Sequence, residues 1–227
     1  MPDFEVVSIG AMAANPDWGE RVPVRTGHAT TTLVRTGERV ILIDPGLPEA
    51  ALKARLGERA NLDPADVTHV FLTSFHPDAR RGIGLFDEAT WWISEQEREA
   101  VGVPLAQTLG KASAEGNAEA IKVLEHEVAL LRRCEAAPDE LDESVSLFPL
   151  HGVSPGMTGV LIAGSRFTTL ICGDAVPTAY ALEHGVVHRG AVSVDEAQES
   201  FREAVEIADL IVPGRDNVTV NPTRRPF

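Results

Sequence analysis

Basic residues are scarce in this chain: 20 lysines and arginines stand against 34 aspartates and glutamates, for a formal net charge of −14. Non-specific nucleic-acid binding needs clustered cations to neutralise phosphates, so this balance excludes it. Cysteine is rarer still, with only two. Cys134 lies in a helical pattern and Cys172 at the end of an apolar strand pattern. Two isolated cysteines make no disulfide framework, and the expectation is a pair of reduced core residues in a cytoplasmic protein. Long apolar runs are missing too: none approaches the ~20 residues needed to span a bilayer. The opening Met-Pro-Asp-Phe-Glu lacks the basic segment and apolar stretch of a signal peptide. No membrane partner is expected.

What is present is ordinary for a globular protein. With 227 residues, 44% hydrophobic and 24% charged, the chain suits one domain over 1–227 with a sizeable core. Phe4 to Ile9 reads as a first strand. Ala29 to Arg35 and Arg39 to Asp44 are β-rich runs around Thr36-Gly37-Glu38, a hairpin signal. Pro48 to Ala60 predicts a helix with Leu52 and Leu56 on one face. Val67 to Leu72 and Ala89 to Ile93 are further strands, and Ser94-x-x-Glu97 predicts a capping box. Ile121, Leu124, Val128 and Leu131 give residues 113 to 136 one apolar helical face. The second half repeats the logic: Val145 to Leu150, Gly159 to Ala163 and Phe167 to Cys172 as strands, a helix capped by Ser193, and Leu210 to Val212 as a closing strand. Strands and helices distributed this way predict an α/β protein, a four-layer αββα sandwich of two mixed sheets with helices outside.

The stretch after Leu72 carries the chemistry. An apolar strand ends in Thr73-Ser74-Phe75-His76-Pro77-Asp78-Ala79 and then a glycine-punctuated turn. This resembles the signature of the metallo-β-lactamase superfamily, where such a strand runs into His-x-His-x-Asp-His. Asp44-Pro45-Gly46 resembles the family's Asp-Thr-Gly element, whose Asp lies beneath the metal ligands. Gly152-Val153-Ser154-Pro155-Gly156-Met157-Thr158-Gly159 matches Gly-His-Thr-Pro-Gly-His-Thr-Gly without a gap, with Val153 at the ligand histidine and Met157 at the next. Gly173-Asp174-Ala175 resembles the element whose aspartate bridges two metals, and Pro213-Gly214-Arg215-Asp216 the one that supplies the last histidine. The segment from Gly173 to Pro213 most resembles lactonase-like members.

Of the family's seven ligand positions only His76, Asp78 and Asp174 carry ligating side chains; Ser74, Ala79, Val153 and Arg215 do not. The resemblance implies a hydrolase, but a catalytic zinc needs at least three protein ligands and a water, and neither family site keeps three here. The first expectation is therefore a protein without a metal cofactor that binds a small molecule, expected to be anionic, in a remodelled pocket. That pocket is expected to include Asp44, Ser74, Ala79, Arg80, Val153, Met157 and Arg215. Arg215, always protonated, is expected to pair with Asp78 or Asp174 in place of a cation. The alternative is a single-metal hydrolase of a lactone, ester or thioester, holding Zn, Mn or Fe through His76, Asp78 and Asp174, with His151 as a further ligand if the local frame slips. A third option is metal-free acid–base catalysis by Asp78 or His76. His69, His126, His184 and His188 are read as packing or surface residues. Whether the chain is catalytic, and whether it forms homo-oligomers, the sequence leaves open.

Overall fold

The computed structural model describes residues 2–224. Two six-stranded sheets make its centre. The first takes β1 (Asp3–Ser8), β2 (Thr31–Thr36), β3 (Arg39–Ile43), β4 (His69–Leu72), β5 (Thr90–Ile93) and β6 (Glu135–Ala136), in that order. β1, β2 and β3 are antiparallel, joined at Thr36 to Arg39 by the predicted hairpin; β3 through β6 are parallel. The second sheet holds β7 (Glu140–Asp142), β8 (Val145–Pro149), β9 (Thr158–Ala163), β10 (Thr168–Gly173), β11 (Leu210–Pro213) and β12 (Thr219–Val220). Only its β10–β11 pair is parallel.

Helices cover the outer faces: α1 (Glu49–Ala60), α2 (Pro77–Arg80), α3 (Glu95–Ala114) and α4 (Ala118–Arg133) from the first half, α5 (Ala179–His184) and α6 (Val194–Ile207) from the second. The helical face read over 113–136 belongs to α4 alone. Gly116, at φ 68°, breaks the chain after α3, Asn117 accepts the Ala120 N–H to start α4, and the two residues after Cys134 join the first sheet as β6.

Alternation along the strands builds three apolar layers, because successive side chains face opposite sides of a sheet. Leu33, Leu42, Val70 and Leu72 point outward to Leu52 and Leu56 of α1 and Leu131 of α4. Their neighbours Val34, Ile41, Ile43 and Phe71 point inward and meet Val160, Ile162, Ile171 and Val212 of the other sheet. Leu170, Cys172 and Ile211 face outward again, beneath Leu182 of α5 and Phe201 and Ala204 of α6. Both cysteines are free and buried, and burial pushes their thiols up, Cys134 to about 11. Each such core leucine or isoleucine stabilises the fold by about 1.5–3 kcal/mol. No helix among the described residues is long and apolar enough to cross a membrane.

This architecture fixes where chemistry can sit. Parallel strands β3, β4, β10 and β11 end on the same side, and the loops that follow them converge over the seam between the sheets, the usual place for a ligand in an α/β protein. Thr158 N–H donates to the Thr73 carbonyl (3.0 Å) and Thr30 N–H to the Gly214 carbonyl (2.7 Å), which fastens the two halves at that seam.

Candidate functional site

Asp44 follows β3 directly and adopts a left-handed backbone, φ 49°. Such a conformation is uncommon outside glycine and is best tolerated by Asp and Asn. It aims the side chain beneath the tip of β4, where the carboxylate accepts from the Thr73 N–H (2.9 Å) and the Thr73 hydroxyl (2.6 Å). Asp44 is almost fully buried. Burial raises its carboxyl to about 7 against those two hydrogen bonds, with the nearby Asp174 charge raising it further.

A carboxyl that holds its proton more tightly when folded than when unfolded favours the native state only below its native pKa. Stability should therefore fall as pH rises from about 4 to about 7 through this residue. Asp44→Asn removes the titration, since asparagine suits the same backbone and Thr73 can reverse its hydroxyl. The variant's stability relative to wild type is expected to improve between pH 5 and pH 8 in urea denaturation. An unchanged difference across that range would refute the assignment.

Arg215, after β11, is the centre of the site. Its side chain is only 6% exposed. Nε donates to Asp174 Oδ1 (2.8 Å) and Nη2 to Asp174 Oδ2 (2.6 Å), a bidentate pair; Nη1 reaches across to Asp78 Oδ2 (2.7 Å). Asp78 Oδ1 in turn accepts from Arg81 Nη2 (3.0 Å). Charge-assisted, bidentate bonds of this kind are the strong class. Burial alone would raise the Asp174 carboxyl, but the charge and hydrogen bonds of Arg215 outweigh it and hold the group below the usual carboxylate range.

These residues do not fit a metal centre. All four oxygens of Asp78 and Asp174 already accept from guanidinium groups, and among the described residues no group of three or more His, Cys, Asp or Glu is placed to hold a metal ion.

Above the ion pairs lies a cavity of about 630 Å³, within the range of small-molecule sites. Ser74, His76, Asp78, Asp174 and Arg215 line its polar end, while Val153 and Met157, at the two positions where the family carries histidines, add apolar wall with Val101, Val186 and Val187. His76 caps the short α2, its Nδ1 accepting the Asp78 N–H (3.2 Å). Burial and then the Arg215 charge keep its imidazole below the ordinary range.

Other expected pocket residues are placed elsewhere. Arg80 is turned away: its Nε donates to the Phe75 carbonyl (3.0 Å), its Nη2 pairs with Glu127 on α4, and its guanidinium stacks on the Phe75 ring. An arginine this buried needs a carboxylate partner, and Glu127 on α4 supplies it. Ala79 is buried in α2 and Asp44 lies under the cavity floor, neither forming its lining. His151 lines a separate surface hollow with Glu95, Glu99 and Asp139, consistent with the ungapped frame of the glycine-rich segment.

Two residues of the site escape sequence reasoning. His188, read as packing or surface, lines the cavity from the loop after α5. Glu97, read as half of a capping box, plays only half of that role. Its N–H does bond Ser94 Oγ (3.1 Å), but its carboxylate accepts instead from the Phe75 N–H (2.9 Å), the Ser154 hydroxyl (2.7 Å) and the Gly156 N–H (3.1 Å). Glu97 thus ties the loop after β4 to the loop between β8 and β9. Gly156 is pressed so closely on α3 that a Cβ there would sit 2.0 Å from the Glu97 nitrogen. No local pattern announces that contact; it exists only once α3 is docked.

Comparison with known proteins agrees with this architecture. The family model described as the metallo-beta-lactamase superfamily matches residues 24–215. A Thermotoga maritima structure, named as a candidate metallo-beta-lactamase, superposes with a TM-score of 0.68 at 20% identity over 96% of this chain and 99% of its own. AidC, a dizinc quorum-quenching lactonase in complex with a product, gives 0.62 at 20% identity over 78% and 67%. The B. thuringiensis AiiA variant with N-decanoyl-L-homoserine at its active site gives 0.61 at 18% over 91% and 87%. At these identities the likeness is one of fold. No curated protein matches the chain.

Proposed function

Starting from a chain that belongs to the metallo-β-lactamase superfamily, we propose a member that works without zinc and binds a small molecule in the cavity over the ion pairs. The Arg215 guanidinium lies between Asp174 and Asp78, where the family's resemblance calls for metal, and this observation carries the reading. The cation holds both carboxylates in place, and the valine and methionine at histidine positions turn the wall above it toward apolar contact. A fold hosts whatever site is grafted on it, and the site here is one for binding. The single-metal hydrolase would require Asp78 and Asp174 to leave Arg215.

Elemental analysis tests the proposal directly. Protein purified without chelators, then incubated with Zn, Mn or Fe and freed of unbound ion, is expected to hold far less than one metal per chain. About one metal per chain, lost in Asp174→Ala, would overturn it and make chelator-sensitive ester hydrolysis the next assay.

A further inference from the structure

The polar end of the cavity has a definite hydrogen-bonding sense, and the inference drawn from it rests on the metal-free binding reading above. Every carboxylate oxygen that lines the cavity is already an acceptor: those of Asp174 and Asp78 for Arg215 and Arg81, those of Glu97 for Phe75, Ser154 and Gly156. The two histidines are fixed in the opposite role. His76 Nδ1 accepts the Asp78 N–H (3.2 Å) and His188 Nδ1 the Gly190 N–H (3.1 Å). A ring nitrogen that accepts an N–H carries no proton, so the hydrogen of each ring is on Nε2, which is left as a donor. Arg215 has five N–H groups and uses three on the aspartates, which leaves one on each Nη. What these side chains leave for a ligand is chiefly donors, with the Ser74 hydroxyl on the same lining able to act either way.

The charge of those donors is already matched. Arg215 faces two carboxylates, so it is not the free cation that an anionic ligand would need, and a ligand carboxylate would bring a third negative charge beside Asp78 and Asp174. Arg189 also lines the cavity but is exposed, where its charge is screened. The rest of the wall is apolar, with Val101, Val153, Met157, Val186 and Val187. We infer that the cavity takes an uncharged, largely apolar molecule with a carbonyl-type acceptor, its oxygen accepting from the His188 Nε2–H and from one second donor, the His76 Nε2–H or a remaining N–H of Arg215.

Three probes of one skeleton test this by NMR titration of the full chain: 2-octanone, octanoate and protonated 2-aminooctane. The ketone is expected to bind at least tenfold more tightly than either charged analogue, with shifts at the Ser74, Val153 and Gly190 amides. Loss of one neutral donor should weaken the ketone about fivefold in His188→Phe, and His188→Gln, whose amide N–H reaches the same place, should restore it. The amide spectrum of each variant verifies its fold. Tighter octanoate binding, no ketone binding, or equal affinity in wild type and a folded His188→Phe would each overturn the inference. None of these outcomes depends on metal content, which decides the underlying reading separately.

Discussion

Arg215→Ala is expected to lower the unfolding free energy by about 3–5 kcal/mol at pH 7, measured by urea denaturation. The magnitude follows from what the deletion leaves behind. Asp174 and Asp78 are both largely buried; without the guanidinium they become two like charges facing each other with three hydrogen bonds lost. Arg81 still reaches Asp78, but nothing replaces the bidentate partner of Asp174. The deficit should shrink on acidification. Because Asp174 is held below its ordinary range in the native protein, its contribution is present above about pH 4 and disappears as pH falls through the depressed native value. The variant never had that contribution, so the two stability curves converge in acid. Adding Asp78→Asn and Asp174→Asn to Arg215→Ala should recover much of the loss, since the penalty lies in the uncompensated charge. A loss below 1 kcal/mol would show that the network contributes little.

Glu97→Ala should cost about 3 kcal/mol. Three donors depend on that one carboxylate, two of them backbone N–H groups in the loops that wall the cavity, and each buried donor left without a partner costs about 1–3 kcal/mol. Water entering from the cavity side offsets part of it, which keeps the figure at the lower end. Glu97→Gln should fall between, because its amide turns one acceptor into a donor aimed at other donors. The specific readout is hydrogen exchange: the Phe75 and Gly156 amides should open faster relative to the strand interiors. Uniform acceleration across the chain would mean that Glu97 acts on global stability alone.

The sandwich was legible because its signals are local and repeated. Alternation in runs such as Leu33-Val34 and Leu170-Ile171 places one residue in each of two layers, and both faces are buried, so every strand of four or more residues left an apolar trace. β6, β7 and β12, of two or three residues, are too short to leave one and form by pairing with a neighbour already in place. In the site, the pairing of Arg215 was readable once the family resemblance set it at a ligand position: one permanent cation beside two acids leaves few other arrangements. The orientation of Arg80 was not, because its choice between Glu127 and the cavity depends on where α4 docks. His188 lies on a loop with no periodicity to fix it. Glu97 fitted a local rule so well that its long-range role was hidden behind it.

The positive charge at the seam has one more property that follows from its being a side chain. An ion held from solution stabilises a protein in proportion to the logarithm of its free concentration relative to its dissociation constant, so the fold then tracks supply and chelation. A guanidinium on residue 215 has no dissociation constant: it is supplied one per chain by translation, and its partners from two sheets are joined to it by 41 and 137 residues of the same polypeptide. Mass action therefore has no hold on this cross-link, and its strength is the same in a starved cell as in a replete one.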